Sequence, residues 1–362
     1  MMIPRSEMSR TAKEAAANAG FELVGIAAIQ EPDFAELGAF TDWIEAGHAG
    51  EMKYLEKRTD SGKLRRSSLK NAAPWAKSVI VCALNYNADK PRSIEVRDPE
   101  RGWISRYAWS RRDYHDLLLQ RLQQVETALR NLAASSGITV ETRSYVDTGP
   151  IVERVYAKHA GIGWIGKNTC IINRKLGSWV FLGVVLTSLE LAPDLPAPDR
   201  CGSCTRCIDA CPTDALIAPG KMDARRCIAY LTIEKRGEIP LEFRSAIGHH
   251  VFGCDICQDV CPWNTKEGNA PPSSSSDFEP QENLVHPDLR ELAAMTDEDF
   301  RLIFRGSPVK RTKYAGLRRN VAVAMGNSGN EAFIPQLQKM AADSDPVVAE
   351  HARWALEQLG VK

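Results

Sequence analysis

The chain has 362 residues, of which 44% are hydrophobic and 25% are charged, and its 46 basic and 46 acidic side chains give a formal net charge of zero. These values are typical of a globular protein of two to three domains, and they exclude a globally basic nucleic-acid-binding chain, although a zero sum is compatible with a local basic face. No run of 18 apolar residues is present and residues 1–10 lack the apolar core of a secretory signal, so we expect a cytoplasmic protein without a membrane span.

The first segment, residues 1–195, predicts helices alternating with strands. Helices are expected where apolar residues recur at helical spacing or an Ala-rich run ends in Gly, and strands where apolar runs have strand length. The predicted helices are Ala12–Ala19, Asp113–Leu132 and Ile151–Ala160. The predicted strands are Phe21–Ile29, Ser78–Leu84, Thr139–Val146 and Trp179–Thr187. Together they predict an α/β or α+β domain around one sheet.

Two further segments follow. Residues 196–270 contain most of the cysteines, and a stretch rich in Pro and Ser separates them from residues 283–362. In this third segment 317–329 aligns with 348–360, and each is an Ala-rich amphipathic helix that ends in Gly. The repeat predicts a pair of HEAT-like helical hairpins. Because two repeats bury little surface by themselves, we expect them to dock on the rest of the chain.

Eight of the ten cysteines form two runs with the spacing of bacterial ferredoxins. The run from Cys201 to Pro212 reads C-x₂-C-x₂-C-x₃-C-P. The second group ends in the run from Cys254 to Pro262, which reads C-x₂-C-x₃-C-P, and its first cysteine, Cys227, lies far upstream of that run. Structural zinc and disulfides are the alternatives, but zinc usually takes two separated C-x₂-C pairs, and disulfide frameworks belong to short secreted chains. In two-cluster ferredoxins the fourth cysteine of each run binds the other cluster. The runs therefore predict one 4Fe–4S cluster on Cys201, Cys204, Cys207 and Cys261 and another on Cys211, Cys227, Cys254 and Cys257.

Catalytic candidates lie before the cysteines. Asp147, in Tyr-Val-Asp-Thr-Gly-Pro, follows a predicted strand. It is either a functional side chain or, in the alternative, a turn former or a cap of the helix predicted at Ile151. The loop 160–169 has three glycines and a lysine but does not match a phosphate loop, so we interpret its glycines as admitting a bulky ligand. His115 is interpreted as an ordinary helix residue, because the cobalt-binding D-x-H-x-x-G pattern lacks its glycine here.

The order of these motifs resembles the epoxyqueuosine reductase family over nearly the whole chain. It includes Arg106-Tyr-Ala, Asp113-Tyr-His, Val-Asp-Thr-Gly-Pro with Glu-Arg, the Gly-rich loop, both cysteine runs and the helical repeat. The resemblance implies an oxidoreductase that reduces epoxyqueuosine to queuosine at the wobble position of tRNA, the last step of queuosine biosynthesis. It implies cobalamin besides the clusters, a core related to reductive dehalogenases, an external low-potential electron donor, and a monomer.

The fold that the resemblance implies is α+β. It consists of an α/β cobalamin-binding catalytic domain (1–195), a ferredoxin-like domain with two 4Fe–4S clusters (196–270) and C-terminal HEAT-like helical repeats (283–362). Two alternatives stay open. A cobalamin-dependent reductase or dehalogenase of a small molecule would share the core and the clusters. A plain electron carrier would leave the first segment unexplained.

The resemblance also assigns residues. Asp147 matches the family's proton donor to the opening epoxide, and burial would favour the protonated carboxyl that this role needs. Corrin contacts, in a cobalamin without a protein histidine on cobalt, are implied for Arg58, Ser105, Asp147, Lys167, Asn168, Thr169, Ile171 and Leu182. Candidates for tRNA phosphate contacts, with a solvated face as the alternative, are Arg106, Arg111, Arg112, Lys310, Arg311, Lys313, Arg318 and Arg319. Cys82 and Cys170 are expected to serve packing.

Overall fold

The computed structural model describes residues 4–30, 33–265 and 270–361. The chain forms two compact units, each assembled from separate stretches. The first unit comprises Met1–Tyr86, Tyr114–Cys204 and Pro262–Pro271, and the second comprises Asn87–Asp113, Thr205–Cys261 and Pro272–Lys362. The linear three-segment prediction does not include this interleaving, because local patterns do not show which distant stretches pack together. No helix among the described residues has both the length and the apolar character needed to cross a bilayer.

The helices and strands of the described residues are numbered in chain order. The helices are α1 (Arg5–Asn18), α2 (Ala35–Glu45), α3 (Tyr114–Ser135), α4 (Glu153–His159), α5 (Arg206–Asp209), α6 (Ile228–Ile233), α7 (Leu241–Ile247), α8 (Ile256–Asp259), α9 (Leu289–Ala294), α10 (Asp297–Ile303), α11 (Tyr314–Asn327), α12 (Ile334–Ala341) and α13 (Pro346–Gln358). The strands are β1 (Leu23–Ala28), β2 (Ser78–Asn85), β3 (Trp103–Ile104), β4 (Thr142–Tyr145), β5 (Trp164–Ile165), β6 (Ile171–Ile172), β7 (Val180–Thr187) and β8 (His250–Phe252). The seven elements predicted in the first segment are therefore confirmed, with ends that differ by one to several residues.

A four-stranded sheet in the order β1-β2-β7-β4 forms the centre of the first unit. Every pairing in this sheet is antiparallel. The unit is thus α+β, and the α/β arrangement expected of the catalytic domain is wrong, because alternation of helices and strands along the chain does not fix strand direction. Strand β2 is buried along its whole length, as its continuous apolar sequence predicts.

Helices cover the sheet of the first unit. Helix α3 packs on β7 and β4, and its apolar stripe is buried as predicted; Gly183 of β7 allows this contact, since a Cβ there would lie 2.9 Å from Leu122. Helix α4 packs on β1, β2 and β7, with Val155, Tyr156 and Ala157 in one core cluster with alternate residues of β2. Cys82 is fully buried in β2, which confirms its packing role, and burial raises the pKa of its thiol.

The second unit contains the short parallel pair β3 and β8 and most of the remaining helices. The short helices α5 and α8 pack against each other, and they carry Cys207 and Cys257. Helix α11 packs on α13, and both contact α12. The C-terminal helices predicted from the repeat are present, and their assignment as HEAT-like repeats stays a prediction.

Candidate active site and cluster-binding segment

Asp147 lies in a tight turn directly after β4. Its φ of +55° falls in the left-handed region, which Asp tolerates better than most residues. A glycine is needed at position 149, because a Cβ there would lie 2.4 Å from Cγ of Tyr145. The turn-forming interpretation of Asp147 is therefore confirmed, the helix-cap interpretation is wrong because Val152 is the N-cap residue of α4, and the catalytic role stays a prediction. The expected burial is not found, since 54% of the Asp147 side chain is exposed.

Two residues at the start of α3 hold the Asp147 carboxylate. The hydroxyl of Tyr114 donates a hydrogen bond to Oδ2 of Asp147, and Nε2 of His115 lies 3.6 Å from the same oxygen. Tyr114 is itself fixed by stacking on Phe181 of β7, with ring centroids 4.1 Å apart and planes 3° apart. His115 is thus a neighbour of the candidate acid. Sequence reasoning missed Tyr114, because a separation of 33 residues along the chain gives no local signal.

Glu153, at the start of α4, is a buried carboxyl group beside the turn. The backbone N–H of Asp147 donates to Oε1 of Glu153 at 2.9 Å. Burial and the negative charge of Asp147 raise the pKa of Glu153 well above its ordinary value, while its hydrogen bond from that N–H and the Arg66 guanidinium oppose the shift. Arg66 also reaches the turn, where its guanidinium donates to the carbonyl oxygen of Asp147 at 3.4 Å.

The Gly-rich loop folds into the hairpin of β5 and β6. A Cβ on Gly163 would lie 2.3 Å from the carbonyl oxygen of Ile172, and a Cβ on Gly166 would lie 2.5 Å from the Ile172 side chain. These two glycines therefore admit the loop's own strand, and the interpretation that the loop's glycines admit a bulky ligand stays a prediction. Lys167 donates to the carbonyl oxygen of Gly202 at 2.7 Å, which ties this loop to the first cysteine run.

The residues implied as corrin contacts differ in accessibility. Arg58, Lys167, Thr169 and Leu182 lie in the first unit and keep exposed surface. Asn168 and Ile171 also lie in the first unit but are at most 4% exposed, so a ligand could contact only this small exposed fraction of each residue. Ser105 lies in the second unit, is 3% exposed, and donates its hydroxyl to Asp255 at 2.5 Å. Corrin binding by these residues stays a prediction.

Three cysteines predicted to bind one cluster interact within the second unit. Burial raises the pKa of the Cys254 thiol, and the Cys227 and Cys211 thiols add to this shift, so each of these two cysteines lies near Cys254. The backbone N–H of Ala215 donates to Sγ of Cys211 at 3.3 Å, a bond of the kind that stabilises cluster thiolates. These residues fit a 4Fe–4S cluster. All ten cysteines lie among the described residues, and none of them forms a disulfide there.

Several candidate tRNA-binding arginines have internal partners instead. Arg319 is 1% exposed, and its guanidinium donates to the carbonyl oxygens of Leu231, Lys235 and Gly237. Arg106 is 4% exposed and donates to backbone carbonyls in residues 88–91. The prediction of phosphate contacts is wrong for these two, because a buried, bonded guanidinium cannot reach a nucleic acid.

The remaining basic candidates are accessible to different degrees. Arg318 is mostly buried and forms an ion pair with Asp343. The exposed residues, which we call the basic patch, are Arg111, Arg112, Lys310, Arg311 and Lys313. The patch consists of residues 111–112 and residues 310–313. Nζ of Lys310 lies 3.9 Å from the carboxylate of Asp113, which follows the first of these two segments, so the segments lie close together within the second unit.

Comparison with known proteins agrees with this arrangement. Residues 66–148 match the family model described as "Epoxyqueuosine reductase QueG, DUF1730", and residues 200–264 match the 4Fe-4S double cluster binding domain. The epoxyqueuosine reductase of Pseudomonas aeruginosa is 39% identical, over 98% of this chain and 95% of the relative. The chain belongs to the epoxyqueuosine reductase family. It is therefore an oxidoreductase, and its cysteine runs bind two 4Fe–4S clusters rather than zinc.

Solved structures of this family have the same fold. A crystal structure of epoxyqueuosine reductase with an epoxyqueuosine-modified stem loop of tyrosine tRNA matches with a TM-score of 0.83 and 31% identity, over 98% of this chain and 90% of the other. A Bacillus subtilis structure, in which the catalytic aspartate loop is swung out of the active site, matches with the same TM-score, identity and coverage. Because the matches span nearly the whole chain, a plain electron carrier does not account for them.

Proposed function

We propose that this protein reduces epoxyqueuosine to queuosine at the wobble position of tRNA, with electrons that reach the substrate through the two 4Fe–4S clusters. The observation that carries the proposal is the Asp147 turn, in a chain of this family: Tyr114 holds its half-exposed carboxyl group and Glu153 holds its backbone. The reaction removes the epoxide oxygen as water and leaves an alkene, so it consumes two electrons and two protons. The clusters account for the electrons, and the protons require an acid.

Asp147 is the proposed acid. Tyr114 donates to Oδ2, and the carboxyl group keeps about half of its surface exposed, so a substrate oxygen could approach it. Protonation of the epoxide oxygen by Asp147 avoids release of a free alkoxide. Glu153 and Tyr114 act as positioning residues, because they fix the backbone and the carboxylate of this turn. The swung-out aspartate loop of the Bacillus subtilis structure supports a turn that carries the acid and changes position.

The cofactor that we propose beside the clusters is cobalamin, which when bound supplies a cobalt centre that takes up electrons at low potential and passes them to the substrate. The accessible residues Arg58, Lys167, Thr169 and Leu182 combine polar donors with an apolar side chain, a set that suits an amide-bearing corrin. Binding through these residues would not involve His115, which lies beside Asp147.

The proposed tRNA contact is the basic patch. Its five exposed cations can neutralise backbone phosphates, which position a nucleic acid without reading sequence. The wobble nucleotide would be extruded from its stack to reach the reaction centre. We further propose that helices α11–α13 are HEAT-like repeats, that the protein is a cytoplasmic monomer, and that an external low-potential donor reduces the clusters.

The test is anaerobic turnover. The protein, reconstituted with iron, sulfide and cobalamin, would be given dithionite and tRNA that carries epoxyqueuosine, and the digested nucleosides would be analysed by mass spectrometry. We expect loss of one oxygen atom from the modified nucleoside, only when cobalamin is present. No loss, despite intact clusters and bound cobalamin, would contradict the proposal and favour reduction of a small molecule.

Matched variants test the acid. Asp147→Asn should abolish turnover while cluster and cobalamin absorbance stay unchanged. Tyr114→Phe should lower turnover by at most about tenfold, since one hydrogen bond to a protonated carboxyl group is worth about 0.5–1.5 kcal/mol. The control is Asp116→Asn, which changes an exposed carboxylate on the first turn of α3 and should leave turnover unchanged. Normal turnover in Asp147→Asn would refute the assignment.

A further inference from the structure

A tryptophan of the Gly-rich loop contacts a cluster cysteine within the first unit. Nε1 of Trp164, in β5, lies 3.4 Å from Sγ of Cys201 in hydrogen-bonding geometry. Trp164 is only 2% exposed, so its N–H has no competing water. Cys201 is the first cysteine of the first run, and its sulfur becomes a cluster thiolate when the cluster is bound.

The position of Trp164 is fixed from several sides. Its backbone pairs with Ile172 of β6, and its ring packs edge-to-face on Trp263, with centroids 5.0 Å apart and planes at 76°. The loop is tied to the cysteine run a second time, because Lys167 donates to the carbonyl oxygen of Gly202 at 2.7 Å. A donor that is held in this way acts on the sulfur without rearrangement.

We propose that Trp164 sets the reduction potential of the cluster bound by Cys201 through an N–H···S hydrogen bond. Taking up one electron makes the cluster and its thiolates more negative, and an N–H dipole directed at a thiolate stabilises that form more than the oxidised form. The bond therefore raises the potential of this cluster. For the partner cluster, whose ligands include Cys211 and Cys254, we expect no shift, because the bond is made to a ligand of the other cluster.

Trp164 is thus a positioning residue for electron flow and not a catalytic residue. It lies in the same loop as Lys167 and Thr169, the residues proposed to meet the corrin. The inference requires the two clusters alone, so it can fail or hold independently of the tRNA reaction.

The experiment is an anaerobic potentiometric titration of the reconstituted protein with dithionite, followed by electron paramagnetic resonance of each reduced cluster. In Trp164→Phe, which keeps a ring but removes the donor, we expect one cluster to shift to lower potential. The expected change in its ratio of reduced to oxidised form at a fixed potential is about tenfold, which is 59 mV for one electron. The potential of the second cluster should stay unchanged.

The matched control is Trp109→Phe. Trp109 is 1% exposed, and its Nε1 donates to the carbonyl oxygen of Ile104 at 2.8 Å, so the substitution removes a similar buried bond that does not involve sulfur. Neither potential should move in this control. Unchanged potentials in Trp164→Phe, or equal shifts of both clusters, would overturn the proposal.

A second measurement needs no substitution. In unsubstituted protein labelled with ¹⁵N in its tryptophan indoles, the reduced cluster bound by Cys201 should show a ¹⁵N hyperfine coupling, because the bonded nitrogen lies next to a ligand sulfur. Absence of a coupling to either cluster would overturn the proposal even if Trp164→Phe failed to assemble its clusters.

Discussion

Substitution of Arg319 tests whether this residue stabilises the fold, as its burial indicates, or contacts tRNA, as its sequence suggested. Its guanidinium satisfies the carbonyl oxygens of Leu231, Lys235 and Gly237, which surround it in the second unit. Arg319→Met keeps most of the side-chain length but leaves these three acceptors without their donor. Each unsatisfied buried group costs about 1–3 kcal/mol, and the relief from burying a charge offsets part of the sum. We therefore expect a loss of about 3 kcal/mol in the free energy of unfolding.

The assay is urea unfolding of the reconstituted protein under anaerobic conditions, followed by far-ultraviolet circular dichroism. With a denaturant slope of about 3 kcal/mol/M, the midpoint should fall by about 1 M. The matched variant is Lys310→Met in the basic patch, whose side chain is 59% exposed and has one distant ion pair. It should change the free energy of unfolding by less than about 0.5 kcal/mol. It should also reduce the slope of log affinity for tRNA against log salt concentration by about one, as expected for the loss of one phosphate contact.

The two variants should therefore separate stability from binding. A normal unfolding midpoint for Arg319→Met, together with weakened tRNA binding, would refute the structural role of Arg319 and restore the phosphate-contact interpretation. Unchanged tRNA affinity and salt dependence in Lys310→Met would remove Lys310 from the proposed interface.

The remaining predictions concern pH. The pKa of Glu153 is raised in the folded state, so its stabilising contribution is complete below the ordinary value of 4.5 and is lost as pH rises through the folded pKa. The stability of Glu153→Gln relative to the unsubstituted protein should therefore increase with pH in urea titrations between pH 4.5 and 8, and a constant difference would contradict the assigned shift. Burial lowers the pKa of His250 from 6.5 to about 4. Below pH 6.5 the histidine is therefore protonated in the unfolded chain but not in the folded protein, and the free energy of unfolding should fall by about 3 kcal/mol in total between pH 6.5 and 4. His250→Asn, which can keep a donor near the carbonyl oxygen of Ile247, should lose that dependence; an identical acid profile in both proteins would show that His250 is not its source.

The sequence by itself determined the features that depend on local spacing. Continuous apolar runs predicted β2 and β7, and the helical spacing of leucines predicted α3, because burial of these side chains requires the same periodicity in any fold that contains them. The cysteine spacing predicted the double-cluster segment, since few chain geometries bring three thiolates of one loop to a cluster. The motif order predicted the family, which the relatives confirm.

Only the tertiary structure decided which distant residues meet. The antiparallel direction of the sheet, the approach of Tyr114 and Glu153 to Asp147, and the bond from Trp164 to Cys201 join residues whose sequence separation carries no local signal. The same holds for charge: Arg319 and Lys310 look alike in sequence, yet one is enclosed by backbone carbonyls and the other is exposed. Burial is a property of the packed chain, and it determines whether an arginine stabilises the fold or remains available to a phosphate.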